Sequence, residues 1–201
     1  MIVGCLGRFY VQIKKEPKVN VEPFAALGEF VGEETSKLLP ARSSVVVLFV
    51  DTAKYKIPTL DTMLATFQKT VKQKGNISIA GVEKFRLPFP TFLAMSSGSL
   101  VLPTAEFHPS QFETVLKNHS GADAIVSFVG FPSTLSGTSP ELQQKHPKII
   151  VVSERNPQLT SFLQSRVFDL AIVPRSSEAG PQNPVERQKN NRPYEVLTLD
   201  K

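Results

Sequence analysis

The chain has 201 residues, 41% of them hydrophobic and 20% charged, with a formal net charge of +5. That is room for one ordinary domain with loose ends, which excludes two full domains, and the apolar content excludes global disorder. No run of roughly 18 apolar residues occurs, so no helix is expected to span a bilayer.

The 23 basic residues are interleaved with 18 acidic ones. The densest basic group, Lys69, Lys72 and Lys74, falls at the end of a predicted helix, where cations complement the negative end of the helix dipole. Nucleic acid is therefore not the expected partner: the basic residues form no single stripe, and aromatic residues are not interleaved with them. A single cysteine excludes an internal disulfide, and no Cys/His grouping has metal-ligand spacing.

At the start, Ile2-Val3-Gly4-Cys5 resembles the lipobox of bacterial lipoproteins. That resemblance implies lipidation of Cys5 and a cell-envelope location if translation begins further upstream. Otherwise Cys5 lies near the end of a first strand, and a chain without a signal peptide is expected to be cytoplasmic. Gly7 to Ile13 alternates as a short strand, and Lys14 to Pro23 is polar, so residues 1–23 read as a strand and linker. An α/β domain is expected over 24–175, and 176–201 reads as a Pro-rich arm with a closing edge strand at Tyr194 to Thr198.

Within the domain, Phe24, Leu27, Phe30, Val31, Leu38 and Leu39 have helical spacing up to Pro40. Val45 to Val50 is an unbroken apolar run rich in β-branched residues, as in a strand buried on both faces. Pro58 opens a helix carrying Leu60, Leu64, Phe67 and Val71, with Gly75 as its expected cap. Ile77 to Val82 is a second strand. Lys84 to His108 is rich in Pro and Phe and left unassigned, apart from a hairpin around Ser99 to Leu102. A helix follows from Pro109, then a strand at Ala124 to Val129, the loop Gly130 to His146, and a buried run at Ile149 to Val152. Asn156-Pro157 is expected to cap a short helix, and Val167 to Val173 is the last core strand.

Strands alternating with helices require right-handed crossovers and give a three-layer α/β fold with a mainly parallel, flavodoxin-like sheet. Val45 to Val50 should be central, flanked by the strands at Ala124 and Ile77. The strand ending in Asp51-Thr52 with its following helix, Gly121-Ala122-Asp123-Ala124-Ile125-Val126 and Phe168-Asp169-Leu170-Ala171-Ile172-Val173 resemble the C-terminal lobe of the type I periplasmic binding proteins and related sugar-binding receptors. The resemblance covers about Ser43 to Arg175 and implies a solute-binding lobe. The receptors trap ligand between two lobes, and too few residues precede Ser43 for a second one.

No phosphate loop, dinucleotide fingerprint, nucleophile elbow or metal cluster is present, and Ser96-Ser97-Gly98 lacks a strand-to-helix setting. His108, His119 and His146 read as caps or surface residues. No cofactor is expected. In an open parallel sheet ligands bind beyond the carboxyl ends of the strands. Those ends supply Asp51, Thr52, Tyr55, Phe131, Ser153, Arg155, Asn156 and Arg175, a set suited to a small polar solute or peptide. The expected function is a non-catalytic module for a small polar solute or a protein partner, with a homodimer allowed. The alternatives are a small hydrolase- or transferase-type enzyme with loop-borne chemistry, and an accessory subunit that docks through its arm.

Overall fold

The structure is a computed structural model that describes residues 19–52, 56–86, 108–132, 147–155, 157–175 and 193–198. Cys5, the strand at Gly7 to Ile13, Tyr55, the hairpin around Ser99 to Leu102, His146, Asn156 and the arm 176–192 lie outside the described residues. The elements are α1 (Glu22–Leu38), β1 (Ser44–Val50), α2 (Pro58–Gly75), β2 (Ser78–Phe85), α3 (Pro109–Asn118), β3 (Ala124–Ser127), β4 (Lys148–Val152), α4 (Gln158–Gln164), β5 (Leu170–Pro174) and β6 (Tyr194–Leu197).

They form one six-stranded sheet in the order β2-β1-β3-β4-β5-β6, parallel except for β6, which runs antiparallel beside β5. The central run is as buried as its composition demands: Val45, Val46, Val47 and Leu48 are fully enclosed. β1 lies between β2 and β3, as the flavodoxin-like order requires. The chain leaves β1 toward one sheet edge through α2 and returns past it through α3. Right-handed crossovers then place α2 on one face and α3 and α4 on the other.

α1 packs on α2 at very close range. Gly28 and Gly32 lie four apart on one helix face; a Cβ at Gly28 would meet the Met63 carbonyl oxygen at 2.3 Å, and one at Gly32 would meet Thr70 Cβ at 2.7 Å. The opposite face is filled by rings. Phe131 contacts Phe112 at 5.0 Å, Phe162 at 5.5 Å and Phe168 at 5.5 Å between centroids. Phe128, three residues earlier, turns to the α2 side and meets Phe67 at 5.3 Å and Phe49 at 5.7 Å. The end of β3 thus supplies one ring to each layer.

Several boundaries differ from the sequence reading for local reasons. Gly75 is the last residue of α2, and Asn76 takes the left-handed conformation at φ 51. β3 stops at Ser127 because Ser127 Oγ donates to the Gly130 carbonyl at 2.6 Å, folding the chain into a turn with Gly130 at φ 77. β5 starts only at Leu170, since Arg166 and Val167 still belong to the end of α4. Arg166 N–H donates to Leu163 O and Val167 N–H to Phe162 O, each at 2.9 Å, with Arg166 at φ 54 in a Schellman turn. The N-cap of α4 is Pro157, which makes no side-chain cap bond; the cap expected of Asn156 lies outside the described residues. His108 does cap α3: its N–H donates to Gln111 Oε1 at 2.8 Å in a capping box.

Two aspartates fasten the amino-terminal edge of the sheet. Asp123, just before β3, accepts from the Ser44 N–H at 2.7 Å and the Ser44 hydroxyl at 3.2 Å. Asp169, just before β5, accepts from the Ile149 N–H at 2.9 Å. Each carboxylate satisfies a backbone donor at the start of the neighbouring strand, which pins the relative height of β1 and β3, and of β4 and β5. β6 is held to α1 by Tyr194, whose hydroxyl donates to the Pro23 carbonyl at 3.3 Å and whose ring meets Phe30 at 5.8 Å. Burial pushes the Tyr194 phenol up from 10.0 to about 12. Among the described residues, no helix is long and apolar enough to cross a membrane.

Candidate ligand site at the carboxyl ends of the strands

The carboxyl ends of β1 and β3 are the point where the chain's crossovers diverge to opposite faces, which is where open parallel sheets bind ligands. Asp51 follows β1 directly. Its N–H donates to the Phe85 carbonyl at 2.8 Å, so the backbone is held by β2 while the carboxylate stands half-buried at the strand end. Thr52 is half-buried beside it. On the β3 side, Phe128 N–H donates to Leu48 O at 2.9 Å, carrying the ladder one residue past the strand.

The next turn of chain contributes a residue that sequence reasoning missed. α2 starts at Pro58 with Ile57 as N-cap and no side-chain cap bond. Asp61, in the first turn, complements the positive end of the helix dipole. Thr59, in that first turn, is 1% exposed, and its Oγ1 has no hydrogen-bond partner among the described residues. Buried unpaired hydroxyls are rare and cluster where structure serves something besides stability.

The remaining predicted residues take different parts. Ser153, 5% exposed, continues β4, with its N–H donating to Ile172 O at 3.0 Å. Arg155 reaches across β5 and ion-pairs with Glu195 of β6. Arg175 is exposed, and its N–H donates to Pro193 O at 2.8 Å. Phe131 is half-buried within the four-ring cluster under α3 and α4. Asp51 and Thr52 therefore stand at the end of β1, whereas Ser153, Arg155 and Arg175 lie at the β4–β6 half of the same edge. Among the described residues no group of three His, Cys, Asp or Glu side chains could hold a metal ion.

No protein-family model and no curated protein sequence matches the chain. Solved structures do. A solute-binding protein of an ABC transporter from Burkholderia graminis, in complex with D-arabinose, aligns with 88% of this chain and 60% of its own, at TM-score 0.55 and 14% identity. The XylFII-LytSN complex aligns with 87% of this chain and 59% of its own, at TM-score 0.53 and 14% identity. AraP, an arabinose-binding protein from Geobacillus stearothermophilus, aligns with 75% of this chain and 45% of its own, at TM-score 0.50 and 16% identity. The chain thus spans about half the length of these proteins, between 45% and 60%. Identities this low speak to architecture, and in architecture the chain is a mainly parallel α/β unit with the fold of a single lobe of the sugar-binding receptors.

Proposed function

We propose that this chain is a non-catalytic solute-binding lobe that takes a small polar, hydroxyl-rich ligand at the carboxyl ends of β1 and β3. The observation that carries this reading is the placement of Asp51 and Thr52 at the switch point of the β2-β1-β3 order. Asp51 accepts hydrogen bonds from ligand hydroxyls. The backbone there is already fixed by the sheet, so little ordering entropy is lost on binding. The fold shared with sugar-binding proteins supports the ligand class. A place at the cell envelope is part of the same proposal. Arg155 is a secondary contributor, because its guanidinium is already engaged by Glu195.

Thermal-shift titration with D-arabinose, other neutral pentoses and hexoses tests it. A sugar should raise the melting temperature, and Asp51→Ala should weaken that sugar by about tenfold or more, as loss of a hydrogen bond to a charged acceptor requires. Arg155→Ala should matter less. A stabilising sugar indifferent to Asp51→Ala but lost on deleting residues 176–192 would move the site to the arm; no response to any polar solute would end the proposal.

A further inference from the structure

β2 is the outermost strand, paired with β1 on one side and, among the described residues, with nothing on the other. Its two halves differ. Near its start the register jumps, Val45 pairing with Ile79 and Val46 with Gly81, so Ala80 is an extra residue in β2. Such a bulge blunts an edge against further pairing. From Gly81 to Phe85 the pairing with Val46 to Val50 is regular. Phe85 turns its carbonyl to β1, accepting from Asp51 N–H at 2.8 Å. Successive residues of a parallel strand offer their backbone groups alternately to either side, so the N–H and C=O of Lys84 and Val82 face the open side.

On that side a groove of about 490 Å³ runs between β2 and α3, lined by Glu83 to Arg86 and by Gln111, Thr114 and Asn118 of the helix. The side chains along the edge give it a sign. Glu83 is engaged by His119, Nε2 to Oε1 at 2.7 Å, while Lys84 and Arg86 are exposed and meet no carboxylate among the described residues.

We propose that this groove receives an extended acidic peptide segment, which adds to the sheet as a strand beside Val82 to Arg86 and is flanked by α3. Backbone bonds to an open edge supply affinity in this mode of recognition, and side chains along the walls supply selectivity. The charge pattern selects the occupant. A second copy of the chain would bring Lys84 and Arg86 against their own like, which opposes pairing; carboxylates on alternate residues of an incoming strand meet them favourably. This inference does not depend on the sugar reading, and its test uses no sugar.

The probe is a fluorescein-labelled Glu-Val-Glu-Val-Glu-Val peptide read by anisotropy, beside the Lys-Val counterpart and a version N-methylated on alternate residues. The acidic peptide should bind and the basic one should not. Methylating the amides that face β2 should cost at least about tenfold in affinity while leaving the protein untouched. Lys84→Pro should cost the same, because the N–H it removes faces the open side; the sheet keeps its own bonds, which an unchanged far-ultraviolet circular dichroism spectrum would verify. Lys84→Gln should have a smaller effect. Equal binding of the acidic, basic and methylated peptides, or no binding of the acidic one, overturns the proposal.

Discussion

The two faces of the sheet are covered by opposite means. On one, α1 and α2, of 17 and 18 residues, approach so closely that Gly28 and Gly32 leave no room for a Cβ. On the other, among the described residues, α3 and α4 have 10 and 7 residues, and Phe112, Phe131, Phe162 and Phe168 cluster between them and the sheet. Long helices gain contact by running close along each other; short ones gain it by volume. One layer should therefore be intolerant of added atoms and the other of removed ones.

The largest expected effect is on the ring-filled face. Phe168 is 1% exposed and touches two other rings, so Phe168→Ala should cost about 3–5 kcal/mol in urea-unfolding stability. A cost under about 1 kcal/mol would show that the layer closes up without it. Next comes Gly28→Ala. In an ordinary helix interior this change gains roughly 0.5–1 kcal/mol through propensity. Here the new methyl would lie 2.3 Å from the Met63 carbonyl oxygen, backbone that cannot rotate away, and the expected result is a loss of about 1–3 kcal/mol. Stabilisation by Gly28→Ala would mean that the helices are free to separate.

The smallest effect tests the seam where β6 meets α1. Tyr194 has a folded pKa raised from 10.0 to about 12 by burial. The folded state therefore keeps its proton where the unfolded chain has lost it. The neutral phenol's contribution is complete below pH 10 and is lost as pH rises from 10 through 12. Comparing wild type with Tyr194→Phe by thermal melts across that window should show the wild type alone losing this component; parallel pH profiles would refute the burial effect.

Much of this architecture was legible beforehand. Val45 to Val50 and Ile149 to Val152 were recognisable as strands enclosed on both faces, and β1 does lie between the strands at Ala124 and Ile77. What a parallel sheet fixes beforehand is which strand ends share an edge. The surroundings of the individual side chains were not legible. Phe131 read as a ring free to cover a ligand, yet it packs with three phenylalanines, two of them 31 and 37 positions further along the chain. Arg155 read as an anion contact, yet it pairs with Glu195. Thr59 went unnoticed because a missing hydrogen-bond partner leaves no mark in a sequence.

By itself, the sequence determined the order of strands and helices and the class of fold. These follow from hydrophobic period, helix-opening prolines and crossover handedness, which act over a few residues or one connection. Only the tertiary structure decided which polar groups are already spent. Asp123 and Asp169 sit inside the very segments that resemble the receptor lobes, but they hold Ser44, 79 positions away, and Ile149, 20 away, at the edge opposite the candidate site. A carboxylate's role is set by whichever donor the fold brings within 3 Å, and that donor is chosen by packing the whole sheet.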